Sequence, residues 1–275
     1  MSATAIDETR LEQFMGQMVG DMSAQISAPL TLLGGRLGLY RAMAHAGPLT
    51  AQDIADRTDC DERMVREWLA NQTAGGYVTH DAAADRYELP NEHAMALADE
   101  DSPAYVMGAF DLMASIWADE DKLAEAFRTG DGLGWHEHDH RLFSGTERFF
   151  RPGYRAHLTT EWIPALDGME DKLEQGASVA DVGCGHGAST IIMAEAYPRS
   201  TFVGFDYHED SLKSARDRAR RRAWATGSPS SRRRHRTSPV PGTTWCATST
   251  ACTTWVTLSA LPAIPRRRWR RTART

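Results

Sequence analysis

Residues 177–187, reading Ala-Ser-Val-Ala-Asp-Val-Gly-Cys-Gly-His-Gly, constrain the fold of this chain more than any other stretch. An apolar run, Val179-Ala180-Asp181-Val182, gives way to glycines at 183, 185 and 187, and a second apolar run from Thr201 to Phe205 ends in Asp206. The pattern predicts a buried strand, a glycine turn, a helix over Ser189–Tyr197 and a second strand ending in an acid. That is the opening unit of an α/β nucleotide-type site. Gly183 lets the chain turn sharply off the strand, where a Cβ would resist positive φ. Gly185 and Gly187 let the backbone approach a ligand and let the helix pack tightly on the sheet. Asp206 is placed to accept hydrogen bonds from two ribose hydroxyls. Asp181 favours a cationic ligand group and disfavours a pyrophosphate, which argues against an NAD-type site, as does the absence of G-x-G-x-x-G spacing.

Upstream, the pattern is helical. Leu11, Phe14, Met15, Met18, Val19, Met22 and Ile26 recur at helical spacing and predict an opening amphipathic helix whose stripe serves a core or a subunit contact. A second helix is expected over Leu30–Ala46, closed by Gly47-Pro48. Thr50 with Asp53 forms a capping-box pattern for a short helix, and Asp61 starts another with Met64, Val65, Trp68 and Leu69 facing inward. Gly75-Gly76 stops it, and Tyr77–Thr79 and Arg86–Leu89 read as a hairpin. The order is that of a winged helix. Asp59–Arg66 carries three acids against Arg63 and Arg66, a balance that repels phosphate, so nucleic acid is not the expected partner.

Residues 103–128 predict a further helix with Val106, Met107, Phe110, Met113, Ile116 and Trp117 spaced for burial. Then come Trp135-His136-Glu137-His138-Asp139-His140. The alternating histidines lack a fourth ligand at a familiar spacing, so a pocket wall or loop is expected and no metal. Residues 141–172 read as helical, with Phe149, Phe150, Tyr154, Trp162 and Ile163 as substrate wall or core. The four cysteines form no CxxC pair, and neither a leader nor an apolar run of about 18 residues is present, so a cytoplasmic protein without membrane partners is the expectation.

The two stretches VADVGCGHGAST and FVGFDYHEDSLKSAR resemble the first and second motifs of the class I S-adenosylmethionine-dependent methyltransferases. The winged helix joined to such a domain is similar to the bacterial small-molecule methyltransferases, in which that module mainly dimerises. The resemblance covers about residues 10–222. It implies S-adenosylmethionine as cofactor, a small-molecule methyl acceptor and a homodimer. It also implies that Gly183, Cys184, Gly185 and Gly187 wrap the methionine portion, that Asp181 lies near its ammonium, and that Asp206 holds the ribose with Tyr207 beside the adenine. The expected class is α/β: an all-α winged-helix dimerisation domain over 1–100, a helical linker and substrate wall over 101–172, the start of a Rossmann-like cofactor domain over 173–222, and a basic, irregular and disordered tail over 223–275. A winged-helix regulator or a non-catalytic dimeriser is the alternative. The acceptor atom and the general base are not legible; His136, His138, His140 and His157 are candidates without geometry.

The tail conflicts with that domain, which by resemblance needs five more strands after Asp206. Residues 223–275 hold ten arginines and no Asp, Glu or Lys, so a formal charge of −6 conceals −16 on residues 1–222. They also lack Phe, Tyr, Met, Asn and Gln yet contain four of the eight tryptophans. Such composition resembles GC-rich coding sequence translated in a displaced frame. The genetic code allows a check: joining the last base of each codon from Gly242 to Thr257 to the first two of the next forces Trp-Cys to Val and Trp-Val to Gly. It permits the series Y-D-L-V-C-Y-F-D-C-L-H-D-M-G-D, which looks like the fourth strand and following loop of the same family. The same shift lets Ala223–Gly227 read V-G-D-R, a helix-to-strand turn. A frameshift near Arg220–Ala223 is the expectation, and such a chain binds its cofactor poorly. The competing reading is a natural basic tail for RNA or acidic lipid.

Overall fold

The computed structural model describes residues 6–225 and 243–247. The chain divides into two compact units, one ending at Ala156 and one beginning at His157.

The first unit is helical. Helix α1 (Glu8–Arg36) is followed by α2 (Leu39–Met43), α3 (Ala51–Thr58) and α4 (Glu62–Ala74). An antiparallel hairpin, β1 (Thr79–Asp81) and β2 (Arg86–Glu88), pairs His80 with Tyr87 and leads to α5 (Asn91–Leu97). Then come α6 (Met107–Ala118), α7 (Glu120–Thr129), a 3₁₀ turn at Trp135–Glu137 and α8 (Arg141–His157). The local chemistry sets these limits. Thr50 Oγ1 accepts from the Asp53 N–H and Asp53 accepts from the Thr50 N–H, closing a capping box at the start of α3. Asp61 accepts from the Met64 N–H to cap α4. The core forms where α2, α3, α4 and the hairpin converge, around Tyr40, Met43, Ile54, Leu69 and Leu89. Trp68 joins it with its indole N–H donating to the Leu30 carbonyl at 2.9 Å.

Several expectations change here. The helix break expected before Leu30 falls instead at Leu37–Gly38, and Gly38 supplies the required φ of +77°. Pro29 is accommodated inside α1, pinned to α4 by Trp68 and by Asn71 donating to Ser27. Met64 is exposed while Val65, Trp68 and Leu69 are buried. The single helix expected over 103–128 is two, α6 and α7. On α6, Met107 is buried and Phe110 half-buried, but Met113, Ile116 and Trp117 face solvent. The face of α6 that is buried carries Gly108, Asp111 and Ser115, because α8 lies hard against it. A Cβ on Gly108 would sit 2.4 Å from the Phe149 nitrogen, and one on Gly145 would sit 2.8 Å from the Gly108 carbonyl oxygen. The stripe expected on α1 is exposed as well, Met18 alone being half-buried.

The second unit is α/β. A π-helical turn at Leu158–Trp162 and α9 (Met169–Gln175) lead into β3 (Ser178–Val182), α10 (Ala188–Ala196), β4 (Thr201–Asp206) and α11 (Glu209–Ala225). β3 and β4 run parallel, with Ser178 opposite Thr201 and Val182 opposite Phe205. Phe202, Leu212, Ala215 and Ala219 are fully buried between sheet and helices. In the stretch expected to be irregular, α11 continues to Ala225 and the backbone of Thr243–Ala247 forms β5, parallel to β4. Threonine and tryptophan in that run favour an extended chain. The other residues of the expected tail lie outside the described ones. Among the described residues the sheet order is β3-β4-β5, so β3 has a neighbour on one side only. No helix of the described residues is long and apolar enough to cross a membrane.

Candidate functional site

The carboxyl ends of β3 and β4 bring together the residues that the sequence singled out around the glycine loop. After Val182 the chain turns at Gly183, whose φ is +80°; Gly185 is at +51° and Gly187, the residue capping α10, at +74°. All three lie in the region where side chains other than glycine are strained. The turn is tied to β4 through one carbonyl: the Gly183 N–H donates to Phe205 O at 2.7 Å and the Cys184 N–H to the same oxygen at 3.1 Å. The Gly187 N–H donates to the Cys184 carbonyl at 2.8 Å, which closes the loop. Among the described residues nothing beyond the chain neighbours lies within 4 Å of where a Cβ would sit on Gly183 or Gly185, so those glycines answer to backbone shape rather than crowding.

Two carboxylates frame the loop. Asp206, at the end of β4, accepts from the Gly185 N–H at 2.8 Å with one oxygen and from the His208 N–H at 2.9 Å with the other. An ionised carboxylate offers about four acceptor sites, so Asp206 keeps capacity for two further donors. Asp181 is buried, and its Oδ2 accepts from Ser189 Oγ at 2.9 Å and from Thr190 Oγ1 at 2.5 Å, both on the first turn of α10. Its Oδ1 accepts nothing among the described residues. Ser189 and Thr190 were not singled out in the sequence, although hydroxyls eight and nine residues after an acid, across a glycine turn, are the signal that could have marked them. Cys184 is buried, and burial first, then Asp181 and Asp206, push its thiol pKa up, so it is neutral and unreactive. Tyr207 is half-buried between β4 and α11.

The histidines have separate environments. His157 Nδ1 lies 3.0 Å from Glu161 Oε1, with its ring stacked on Trp162. His140 is highly exposed, 3.6 Å from Asp139. His138 Nδ1 lies 2.8 Å from Asp119 Oδ2, and Asp119 is 1% exposed. Burial alone would raise the Asp119 carboxyl. Donation by Lys122, by the Asp139 N–H and by His138 outweighs it and holds the pKa at about 2. Among the described residues no group of three acid, histidine or cysteine side chains is placed to hold a metal ion.

Comparison with known proteins divides along the same lines. Residues 25–99 match the family described as the Rv2258c-like winged HTH domain, and residues 173–225 match a methyltransferase domain family. Trans-aconitate 2-methyltransferase of Azoarcus sp. (strain BH72) is 38% identical over 65 residues, which span 21% of this chain and 26% of that protein. Among solved structures, the mitomycin 7-O-methyltransferase MmcR matches with a TM-score of 0.56 and 19% identity, covering 79% of this chain and 65% of its own. A putative O-methyltransferase from Nostoc punctiforme PCC 73102 matches with a TM-score of 0.56 and 18% identity over 85% of this chain and 65% of its own. PigF, solved with SAH, gives 0.54 and 16% over 84% of this chain and 65% of its own. The chain thus spans about a quarter of the curated relative and less than two thirds of these solved chains. Its fold joins a helical winged-helix domain to a partial Rossmann-like domain.

Proposed function

We propose that this chain carries the cofactor half-site of an S-adenosylmethionine-dependent methyltransferase for a small-molecule acceptor, and that it is catalytically impaired. One observation carries the reading: a three-glycine loop lies at the carboxyl end of β3, framed by Asp181 and Asp206. Two acids there suit a sulfonium, an ammonium and ribose hydroxyls, and oppose a diphosphate. Asp181 would sit near the cofactor's ammonium, the backbone of Gly183, Cys184, Gly185 and Gly187 around its methionine portion, Asp206 at the ribose and Tyr207 at the adenine. The bound cofactor supplies an activated methyl group; the chain's own part is to hold and orient.

Impairment is supported by the one-sided sheet around β3 among the described residues and by the composition after residue 222. The displaced-frame reading supplies the cause. Sequencing the gene across codons 215–230 tests it, since an uninterrupted frame overturns it. Equilibrium dialysis with labelled S-adenosylmethionine tests the site. The expected result is binding weaker than micromolar, reduced about tenfold further by Asp206→Ala as charge-assisted hydrogen bonds are lost. Micromolar binding overturns the impairment, and indifference to Asp206→Ala overturns the site.

A homodimer through the first unit belongs to the same reading. Leu11, Phe14, Met15, Val19, Met22 and Ile26 leave one side of α1 apolar and exposed. The carboxyl-terminal half of α1 also lines a cavity of about 1100 Å³ between α1, α4 and α6, with Ser27, Gln72, Phe110, Met113 and Trp117 among its walls. An apolar surface of that extent marks a contact with another chain.

A further inference from the structure

We propose that Asp119 and His138 form a hydroxyl-binding, proton-accepting site in the first unit, built for a neutral aromatic alcohol such as a phenol. The geometry begins with Asp119, at the junction of α6 and α7. Its oxygens take the Asp139 N–H at 3.1 and 2.9 Å, Lys122 Nζ at 2.8 Å and His138 Nδ1 at 2.8 Å. An ionised carboxylate in that position can only accept, so the proton of the neutral His138 ring sits on Nδ1. Nε2 is then left with its lone pair, and it has no hydrogen-bond partner among the described residues. The ring is partly open to solvent, with its side chain 20% exposed. A buried acid that fixes the tautomer and orientation of a histidine while the far nitrogen stays available is the arrangement of a general base.

The surroundings select the ligand. Trp135 packs edge-on against His138 with centroids 6.3 Å apart and against Phe143 at 5.6 Å, and it presents an exposed ring beside the imidazole. That is a surface for a flat apolar ring. The local charges are already matched: Lys122 neutralises Asp119, and Arg141 donates to Asp139 at 2.7 Å. An aromatic alcohol finds there a ring to lie on and a lone pair for its hydroxyl. When the proton moves to Nε2, the O–H bonding electrons stay on oxygen, giving an aryloxide beside an imidazolium that Asp119 stabilises. Binding does not depend on the methyltransferase reading.

The test needs no cofactor. The probes are 2-naphthol and 2-methoxynaphthalene, which lacks the donated proton, titrated into the full chain and followed by histidine side-chain ¹⁵N resonances. The free protein should show His138 protonated on Nδ1, and 2-naphthol should shift its Nε2 resonance. The naphthol should bind about tenfold more tightly than the ether. His138→Asn keeps an N–H for Asp119 and removes Nε2. It should leave the melting temperature unchanged and abolish that preference. No binding of 2-naphthol at millimolar concentration, equal binding of the ether, or an undiminished preference in His138→Asn each overturns the proposal. None of these outcomes bears on S-adenosylmethionine binding, which the dialysis experiment reads separately.

Discussion

Asp119 and Asp181 are both buried carboxylates, and each is satisfied by a different kind of donor. Asp181 takes two neutral hydroxyls from one helix turn; Asp119 takes an ammonium, a backbone N–H and an imidazole. The charged set has a consequence for pH. The folded pKa of Asp119, about 2, lies below its ordinary value of 3.8, so the ionised form is favoured in the folded chain. The stability it contributes is therefore complete above about pH 4 and is lost as pH falls through about 2. Asp119→Asn should destabilise the first unit by about 1–3 kcal/mol at neutral pH, because a buried charged hydrogen-bond set is broken. It should also flatten the acid limb of the unfolding midpoint between pH 4 and 2. Urea melts at a series of pH values read both effects, and an unchanged acid limb would assign that limb to other carboxylates.

Among the elements, α6 and α8 approach more closely than side chains normally permit, since Gly108 and Gly145 face each other. Gly108→Ala brings a methyl against backbone atoms at 2.4 and 2.6 Å, which a rotamer change cannot relieve. Overpacking of this kind costs about 1–3 kcal/mol, and a lowered urea midpoint for the variant checks it. Local chemistry made other elements readable in advance. The Thr50–Asp53 box, the Asp61 cap and the turn at Gly183 each act within a few residues, and each lies where the pattern put it. α6 was misread because periodicity identifies an apolar face without identifying what covers it. Its inward face is chosen by the glycine of a helix more than thirty residues later. The helix start expected at Leu30 falls inside α1 for a related reason, since the contacts that pin this part of the helix come from Trp68 and Asn71, later in the chain. At the glycine loop the acids and glycines were legible from spacing. The Ser189 and Thr190 hydroxyls were not, because their role depends on α10 folding back over Asp181.

At the scale of the whole molecule, a 29-residue α1 buries only three residues, Thr31, Leu32 and Gly34, all near its carboxyl end. A helix with that much exposed apolar surface is stable in water when another chain covers it. Met22→Glu with Ile26→Glu should convert the proposed dimer to a folded monomer, since both side chains are exposed within a single chain. Light scattering reads the mass, and an unchanged mass would move the contact elsewhere. The sheet of the second unit bears on how such a chain is made. Its strands lie side by side in the order β3, β4, β5, the order in which a ribosome delivers them. Each strand can therefore dock on one already in place, and none waits for a partner still to be synthesised. Among the described residues no strand covers the far edge of β3, an edge whose protection during synthesis falls to chaperones.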